Sequence, residues 1–350
     1  TDAKPGATLR LTIDTEIQAK AESILASVVK RRGAKSATAI VMDPRNGKVF
    51  AMATVPRFNP NVRTKVPEAR THNRPVTDTF EPGSTFKVVT VAGALEEKAV
   101  TPGTRFNLPV SYTLYDRTLR EAERKEEQTL SVTEILRDSS NIGTVKIAEE
   151  LGPDGVQRWI DRFGFGETTG ITYPGEVPGL VLPRDKWSGV SIINIPIGQG
   201  IGVTLAQMAR AYSAIANGGL LVTPRVVNRV GSKTLKTPER RRIMSRATAR
   251  KLNTMLVGVV DDDGTGINAQ ITGYQVAGKT GTANKVNPET GEYDKRYVAS
   301  FVGYAPAAKP QLLVAVAVDE PRREYYGGAV AAPAFKEIAL FALQRLKIAP

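Results

Sequence analysis

A serine and a lysine placed three residues apart could carry out nucleophilic chemistry in this chain. Ser84 and Lys87 stand in the run Glu-Pro-Gly-Ser-Thr-Phe-Lys, where Pro82-Gly83 indicates a sharp turn into the start of a helix. Residues i and i+3 share one helix face, so the amine of Lys87 is placed to take the proton of the Ser84 hydroxyl. This pattern alone is weak evidence, because Ser27 and Lys30 repeat it inside a predicted amphipathic helix.

Two further patterns occur once each and strengthen the hypothesis. Ser139-Ser140-Asn141 contains Ser-x-Asn, which by itself is also typical of a capped turn. Lys279-Thr280-Gly281-Thr282 contains Lys-Thr-Gly. In this order, the three patterns match the Ser-x-x-Lys, Ser-x-Asn and Lys-Thr-Gly set of penicillin-binding proteins and class A β-lactamases. The combination predicts acyl transfer through a serine nucleophile.

A competing pattern overlaps the third motif. Residues 273–280 also satisfy Gly-x4-Gly-Lys-Thr, the phosphate-binding loop of many nucleotide-binding proteins. Such a loop follows a buried strand and opens a helix after its threonine. Here residues 274–276 have a strand pattern, and the glycines, asparagines and proline after Thr280 predict turns. An NTPase therefore stays an alternative that the surrounding sequence opposes.

Composition excludes several other kinds of site. The 350 residues are 41% hydrophobic and 24% charged, typical of a globular protein. The absence of cysteine excludes disulfides, thiol catalysis and zinc-thiolate sites. The single histidine, His72, lies in a polar run, so we expect a solvated loop residue and neither a histidine metal cluster nor a Ser-His-Asp triad.

The chain is strongly basic, with a net charge of +13. Its densest basic run, Arg240-Arg241-Arg242, has no interleaved aromatic residues and belongs to no nucleic-acid-binding motif. We therefore predict no nucleic-acid partner, and a basic surface would equally suit anionic lipids or wall polymers.

Hydrophobic periodicity predicts a sheet assembled from both ends of the chain. Strand patterns occur at 9–13, 37–42 and 49–55, and again at 275–282, 298–304 and 312–318. Helical spacing follows Asp14 and returns at 335–346, while 84–215 is predicted to be mostly helical. We predict an α/β (α+β) fold, an antiparallel sheet flanked by helices with an inserted all-helical lobe, and an active site where the two lobes meet.

Nearly the whole chain, from about residue 9 to the final helix, resembles the transpeptidase domain of class B penicillin-binding proteins of the division or sporulation type. The segments that carry the resemblance are Ala51-Met52-Ala53 through Phe58-Asn59-Pro60-Asn61, Asn73 through Ser84, Gly198-Gln199-Gly200 with Val203-Thr204, Ala216-Asn217-Gly218-Gly219, Val276 through Ala283, and Tyr326-Gly327-Gly328 before Ala331-Ala332-Pro333. The resemblance implies the penicillin-binding protein and serine β-lactamase fold, with residues 1–350 forming one transpeptidase domain.

The resemblance also implies a place in the cell. Full-length family members have a membrane helix and a pedestal domain, which this chain lacks. We therefore expect a soluble part of a membrane-anchored protein on the outer face of the cytoplasmic membrane, in cell-wall synthesis and septal cell division.

Acyl transfer at the D-Ala-D-Ala end of peptidoglycan stem peptides is the activity that the resemblance implies. Ser84 would attack the penultimate carbonyl, Lys87 would accept its proton, and Ser139 would relay a proton to the leaving group. Backbone N–H groups of Ser84 and Thr282 would form the oxyanion hole. A lysine serves as a base only if its pKa falls, and both burial and the second charge of Lys279 would lower it.

The resemblance assigns the remaining motif residues to substrate binding. Asn141 would hydrogen-bond the substrate amide, and Lys279 with the hydroxyls of Thr280 and Thr282 would hold the terminal carboxylate. Gly281 lacks a side chain, so the substrate backbone could approach this strand and pair with it as an added strand.

Neither a metal nor an organic cofactor is implied. The expected partners are stem peptides and β-lactams, together with a glycosyltransferase and divisome or elongation proteins reached through the missing N-terminal part. Two alternatives remain beside the NTPase: a serine β-lactamase, which deacylates fast, and a β-lactam sensor domain. The chain length and the division-type segments disfavour the first, and Asn141 with residues 326–328 disfavours the second.

Overall fold

A five-stranded antiparallel sheet, built from both ends of the chain, organises the fold. The computed structural model describes residues 6–62, 66–115, 117–121, 126–238 and 240–350. Its helices are α1 (Thr15–Arg32), α2 (Arg74–Thr77), α3 (Lys87–Glu96), α4 (Val132–Arg137), α5 (Asn141–Leu151), α6 (Pro153–Phe163), α7 (Ser191–Asn194), α8 (Leu205–Ala216), α9 (Arg246–Gly258) and α10 (Gly327–Arg345). Its strands are β1 (Leu9–Leu11), β2 (Ser36–Met42), β3 (Val49–Val55), β4 (Arg105–Leu108), β5 (Ser111–Leu114), β6 (Arg117–Arg120), β7 (Gln128–Ser131), β8 (Leu220–Val222), β9 (Val227–Val230), β10 (Lys233–Thr234), β11 (Arg240–Arg242), β12 (Ala277–Val286), β13 (Tyr293–Ala305) and β14 (Leu312–Asp319).

The order of the sheet is β12-β13-β14-β2-β3, so the last strand of the chain pairs with the first strand of the sheet. In that pairing Leu313 lies opposite Met42 and Asp319 lies opposite Ser36. The sheet from both chain ends was predicted and is confirmed. One edge of the sheet is β12, which carries the Lys-Thr-Gly motif.

Each face of the sheet is covered by its own hydrophobic core. Helices α1 and α10 pack on one face, and the helices of the inserted lobe, among them α3 and α8, pack on the other. Side chains of a strand alternate between faces, so Leu313 belongs to one core and Val314 to the other. None of the helices in the described part of the chain is both long and apolar enough to cross a bilayer.

Capping residues start and stop the first helix where the sequence predicts it. The Asp14 side chain accepts hydrogen bonds from the N–H groups of Glu16 and Ile17, and Gly33 ends the helix in the left-handed conformation with φ 61°. The second Ser-x-x-Lys copy lies inside this helix, and its Lys30 is exposed to solvent. Burial is what activates a lysine as a base, and this exposed copy lacks it.

Two predictions about the elements were wrong. The inserted lobe is not all helical, because β4 pairs with β7 and β5 pairs with β6 in two small sheets between α3 and α4. These strands are only four residues long; β4 and β5 alternate polar and apolar residues over just two apolar positions each, and β6 and β7 do not alternate, so the pattern is too short to predict a strand. The final helix begins at Gly327, eight residues before the predicted start, and contains Pro333. Its first turns were not predicted because glycine and proline usually interrupt helices.

Candidate active site

Ser84 lies on a short 3-10 turn, Gly83–Phe86, that leads directly into α3. The turn is closed by a hydrogen bond of 2.8 Å from the Thr85 hydroxyl to the carbonyl of Pro82. The hydroxyl of Tyr212, a buried residue of α8, donates to the Thr85 carbonyl at 2.8 Å. Ser84 itself is half-buried. These contacts fix the backbone and leave the serine at the surface of a cleft.

A glycine loop supports the same turn from the opposite side. The N–H of Gly83 donates to the carbonyl of Gly198 at 3.0 Å. Gly198 has φ 80°, and a Cβ added there would lie only 2.2 Å from the carbonyl oxygen of Gly83. Only glycine permits this approach, so the loop at 198–200 belongs to the machinery that positions Ser84.

Lys87, the first residue of α3, is fully buried and faces the Ser-x-Asn motif. Its Nζ donates to the carbonyl of Ser139, to Oδ1 of Asn141 at 2.7 Å and to Oγ of Ser139 at 3.3 Å. Burial lowers the pKa of Lys87 to about 7, and the nearby charge of Glu121 opposes this effect. A large fraction of the amine is therefore neutral near neutral pH, as a general base requires.

The Ser-x-Asn motif lies at the junction of α4 and α5. Ser139 adopts the left-handed conformation with φ 61°, and its carbonyl accepts a hydrogen bond from Lys87. Ser140 caps α5 by accepting the N–H of Gly143 at 2.9 Å. The turn therefore places Ser139 and Asn141 on the Lys87 side of the junction.

Lys279 is fully buried in β12, and its Nζ lies 3.3 Å from the carbonyl oxygen of Thr280. Burial lowers the pKa of Lys279 well below its ordinary value, the positive charge of Lys87 lowers it further, and Asp138 opposes both. The two lysines are thus close enough to repel each other. Lys279 is fully buried, whereas Thr280 and Thr282 of the same motif line the cleft; its expected contact with the substrate carboxylate stays a prediction.

The three motifs meet in one cleft of about 660 Å³ between the sheet edge and the inserted lobe. The motif residues that line it are Ser84, Ser139, Asn141, Thr280 and Thr282. Lys87 and Lys279 lie buried beneath them. A nucleophile, a base with a lowered pKa and two hydroxyls on an edge strand therefore share one site.

Close packing around residue 281 explains why this position of β12 is a glycine. A Cβ added there would lie 2.4 Å from Oγ of Ser300 and 2.9 Å from the carbonyl oxygen of Pro82. These atoms belong to β13 and to the segment before the catalytic turn, so the missing side chain lets that turn pack against β12. Gly281 therefore has a packing role, and the pairing of a substrate backbone with this strand stays a prediction.

Comparison with known proteins agrees with this geometry. The sequence model of the penicillin-binding protein transpeptidase domain matches residues 37–340. This chain belongs to that family. It is 38% identical to penicillin-binding protein PbpB of Mycolicibacterium smegmatis over 98% of this chain and 55% of the relative. It is 37% identical to the probable peptidoglycan D,D-transpeptidase PbpC of Pseudomonas aeruginosa over 97% of this chain and 59% of the relative.

Solved structures give the same assignment of fold. Penicillin-binding protein 3 from Mycobacterium tuberculosis, crystallised with aztreonam, is similar with a TM-score of 0.92 and 34% sequence identity, over 100% of this chain and 81% of that one. The predicted fold class is therefore confirmed. The chain spans only a little over half the length of the curated relatives PbpB and PbpC.

The family assignment removes the nucleotide-binding alternative, and the structure gives the reason. Gly278, Lys279 and Thr280 lie in β12, where they pair with Val302 and its neighbours in a continuous antiparallel ladder. A phosphate-binding loop would leave the strand before this lysine. The strand begins at Ala277 and continues through Gly281 and Asn284 to Val286, and the predicted turn follows it at residues 288–290.

His72 is exposed, in a loop, with Nδ1 3.3 Å from a carboxylate oxygen of Asp78. Among the described residues, no group of three or more His, Cys, Asp and Glu side chains could hold a metal ion.

Several residues of this transpeptidase-family site were missed in the sequence. The N–H of Gly327 donates to Oγ1 of Thr282 at 2.9 Å, and Thr265 lies 3.0 Å from Thr280 between their hydroxyl oxygens. Glu121 contacts the start of α5. Thr265 and Glu121 come from loops outside the three motifs, so no local pattern could have indicated them, whereas Gly327 belongs to the Tyr326-Gly327-Gly328 segment that the sequence had already singled out.

Proposed function

We propose that this chain carries the acyl-transfer site of a peptidoglycan D,D-transpeptidase and is acylated at Ser84 by β-lactams. The observation that carries the proposal is the buried Lys87, whose pKa is lowered to about 7 and whose amine is hydrogen-bonded to the Ser-x-Asn motif beneath a cleft lined by Ser84. The family assignment, the name of the relative PbpC and the aztreonam complex of the similar structure support it.

In the proposed reaction, Oγ of Ser84 attacks the carbonyl carbon of the penultimate D-Ala while neutral Lys87 takes the hydroxyl proton. The N–H groups of Ser84 and Thr282 stabilise the oxyanion. The C–N bond to the terminal D-Ala then breaks, and its nitrogen receives the proton through Oγ of Ser139, which lies 3.3 Å from Nζ of Lys87. An amine of a neighbouring stem peptide attacks the acyl-enzyme, forms the crosslink and releases Ser84.

The hydrogen bonds within the site determine what it offers a substrate. Because Oγ1 of Thr282 accepts the N–H of Gly327, its own hydroxyl hydrogen is available to donate to a carboxylate. Because Oδ1 of Asn141 accepts from Lys87, its side chain presents the Nδ2 donor to a substrate carbonyl. The edge position of β12 suits a substrate that pairs as an added strand. Lys279, whose Nζ lies 3.3 Å from the Thr280 carbonyl oxygen, is proposed to hold the substrate carboxylate together with the hydroxyls of Thr280 and Thr282.

We also propose where the reaction takes place and with which partners. The crosslinked substrate lies outside the cytoplasmic membrane, so we place this domain on the outer face of that membrane, held there by an anchor in the full-length protein. Glycan strands would come from a glycosyltransferase, and division or elongation proteins would bring the two activities together. The proposed cellular role is cell-wall synthesis at the septum.

Mass spectrometry after incubation with penicillin tests the acylation. We expect a covalent adduct on the peptide containing Ser84, no adduct in Ser84→Ala, and a normal adduct in the matched control Ser27→Ala, which alters the other Ser-x-x-Lys copy. A folded wild-type protein that stays free of adduct would contradict the proposal. Release of D-Ala from a stem-peptide donor, with transfer to an added amine, tests the transpeptidation step; fast hydrolysis of the penicillin adduct would point to a β-lactamase instead.

A further inference from the structure

A glutamate outside the three motifs makes three hydrogen bonds to the Ser-x-Asn turn. Glu121 follows β6 and lines the cleft. Its Oε1 accepts from the hydroxyl of Ser140 and from the N–H of Ile142 at 3.0 Å, and its Oε2 accepts from the N–H of Asn141 at 3.0 Å. One carboxylate thus binds the hydroxyl of the helix cap and two backbone N–H groups in the first turn of α5.

These bonds supply what α5 does not contain itself. The first turn of α5 is Asn-Ile-Gly-Thr, without an acidic residue. Ser140 satisfies the N–H of Gly143, and Glu121 satisfies those of Asn141 and Ile142. A carboxylate at this end of a helix is favoured by the helix dipole, and its charge-assisted hydrogen bonds are stronger than neutral ones. Glu121 therefore fixes the backbone from which the Asn141 side chain reaches Lys87.

The same carboxylate affects the base electrostatically. Among the described residues, the charged groups around Lys87 are Glu121 from the loop after β6 and Lys279 from β12, and Asp138 at the end of α4 acts on Lys279. Burial lowers the pKa of Lys87, and Glu121 is the group that raises it.

We propose that Glu121 is a positioning residue of the acylation reaction: its carboxylate holds the turn that carries Ser139 and Asn141, and its negative charge lies near the buried amine of Lys87. The inference rests on the proposed function, since it concerns the rate at which Ser84 is acylated. Glu121 does not touch the reacting atoms in this account. It acts through Asn141 and Lys87.

Two substitutions separate the effect of Glu121 on the position of the Ser-x-Asn turn from the effect of its charge on Lys87. Glu121→Gln keeps the length of the side chain but removes the charge and places an amide donor against N–H groups. Glu121→Asp keeps the charge but shortens the side chain, so its hydrogen bonds to α5 weaken. Glu127→Gln, which removes an exposed carboxylate a few residues further along the chain, is the matched control. Circular dichroism and melting temperature verify that each variant is folded.

The measurement is the second-order rate constant of acylation by a fluorescent penicillin between about pH 5 and pH 9. In Glu121→Gln we expect the acidic limb of the pH–rate profile to shift to lower pH by about 0.5–1 unit, because the loss of a negative charge favours the neutral form of Lys87. We also expect the rate on the plateau at high pH to fall about tenfold. In Glu121→Asp we expect a reduced plateau with the limb at its wild-type position. Glu127→Gln should match the wild type in both.

The inference is overturned if the acidic limbs of Glu121→Gln and wild type coincide, or if the plateau rates of both Glu121 variants equal that of the wild type. A substitution that only loosened the fold would lower the melting temperature without moving the limb, and that result also contradicts the electrostatic role. Failure of the proposed function is distinguishable, since the wild-type protein itself would then not be acylated at any pH.

Discussion

The amine of Lys87 is subject to two opposed influences that leave it close to half-protonated at neutral pH. Burial in a fully enclosed position disfavours the ammonium, and the charge of Glu121 favours it. The result is a pKa of about 7. A group with this pKa can take a proton from Ser84 and return it to a leaving nitrogen at the same pH, which is the best compromise for general acid–base catalysis.

This pKa predicts the pH dependence of acylation. Because only the neutral amine accepts the hydroxyl proton, the acylation rate of the wild type should rise as pH increases through about 7 and then level off. The rate constant measured with a chromogenic cephalosporin in overlapping buffers tests this. A rate that is already constant below about pH 5 would show that Lys87 is not the base.

Replacement of the base gives a sharper test with a control inside the same chain. Lys87→Arg keeps a charge that cannot be removed in this pH range, so we expect acylation to fall at least about a thousandfold. Lys30→Arg changes the exposed lysine of the second Ser-x-x-Lys copy and should leave the rate unchanged. Equal rates in the two variants would contradict the assignment.

At the level of residues, the spacing and order of a few residue types identified the motifs but not how deeply each motif side chain is buried. The sequence predicted that Ser84, Lys87 and Asn141 share a site, because a helix face and the matching set of motifs imply it. It gave no sign that Lys279 is fully buried, because its burial depends on which elements pack against β12. Glu121 was also missed, because a single acidic residue in a charged loop resembles any solvated one.

Two glycines let other elements pack closely around the catalytic turn and the neighbouring strand β12. The loop at 198–200 meets Gly83 at Gly198, and the start of α10 meets β12 at Gly327, where an added Cβ would lie 2.3 Å from the carbonyl oxygen of Gly281. The position of Ser84 is therefore set by backbone-to-backbone packing of three separate elements.

Gly198→Ala tests this packing. The new Cβ would overlap the Gly83 carbonyl, and the φ of 80° disfavours any L side chain. We expect a loss of about 2–4 kcal/mol in the free energy of unfolding and about a hundredfold slower acylation, because Ser84 is displaced. The matched control is Gly103→Ala, whose Cβ would meet no atom within 4 Å. A Gly198→Ala variant with wild-type acylation would show that the loop does not position the turn.

Elements with strong local signals were predicted correctly, and elements held by tertiary packing were not. Asp14 and Gly33 mark the ends of α1 because capping is a local interaction. By contrast, β5 and β6 are held by cross-strand pairs such as Tyr112 with Leu119, which no local pattern reveals. The first turns of α10 form despite Gly327 and Pro333 because they pack on the sheet.

On the scale of the whole molecule, the sheet separates two cores that have different relations to the active site. Leu25 of α1 is buried in the core on the far face, whereas Phe86 is buried in the other core, next to Lys87, with its ring 5.1 Å from that of Phe165. Stability is shared between both cores, but of the two only the core that holds Phe86 contains a side chain of the catalytic turn.

A matched pair of side-chain truncations, one in each core, tests whether the two cores differ in their effect on the active site. Leu25→Ala and Phe86→Ala should each lower the free energy of unfolding by about 3–5 kcal/mol, as expected for large buried side chains. At 25 °C, where both variants are expected to be folded, only Phe86→Ala should slow acylation. Denaturant unfolding gives the stabilities, and penicillin labelling gives the rates. Slow acylation in Leu25→Ala would mean that the far core also controls the site.

The pairing of β14 with β2 has a consequence for how the protein is made. During synthesis, β2 and β3 leave the ribosome well before β14, the neighbour with which β2 pairs. Until then the hairpin exposes an unpaired strand edge, a form that associates readily with other chains. Chains released before β14 is made would therefore keep this edge open and would aggregate more readily than the finished chain.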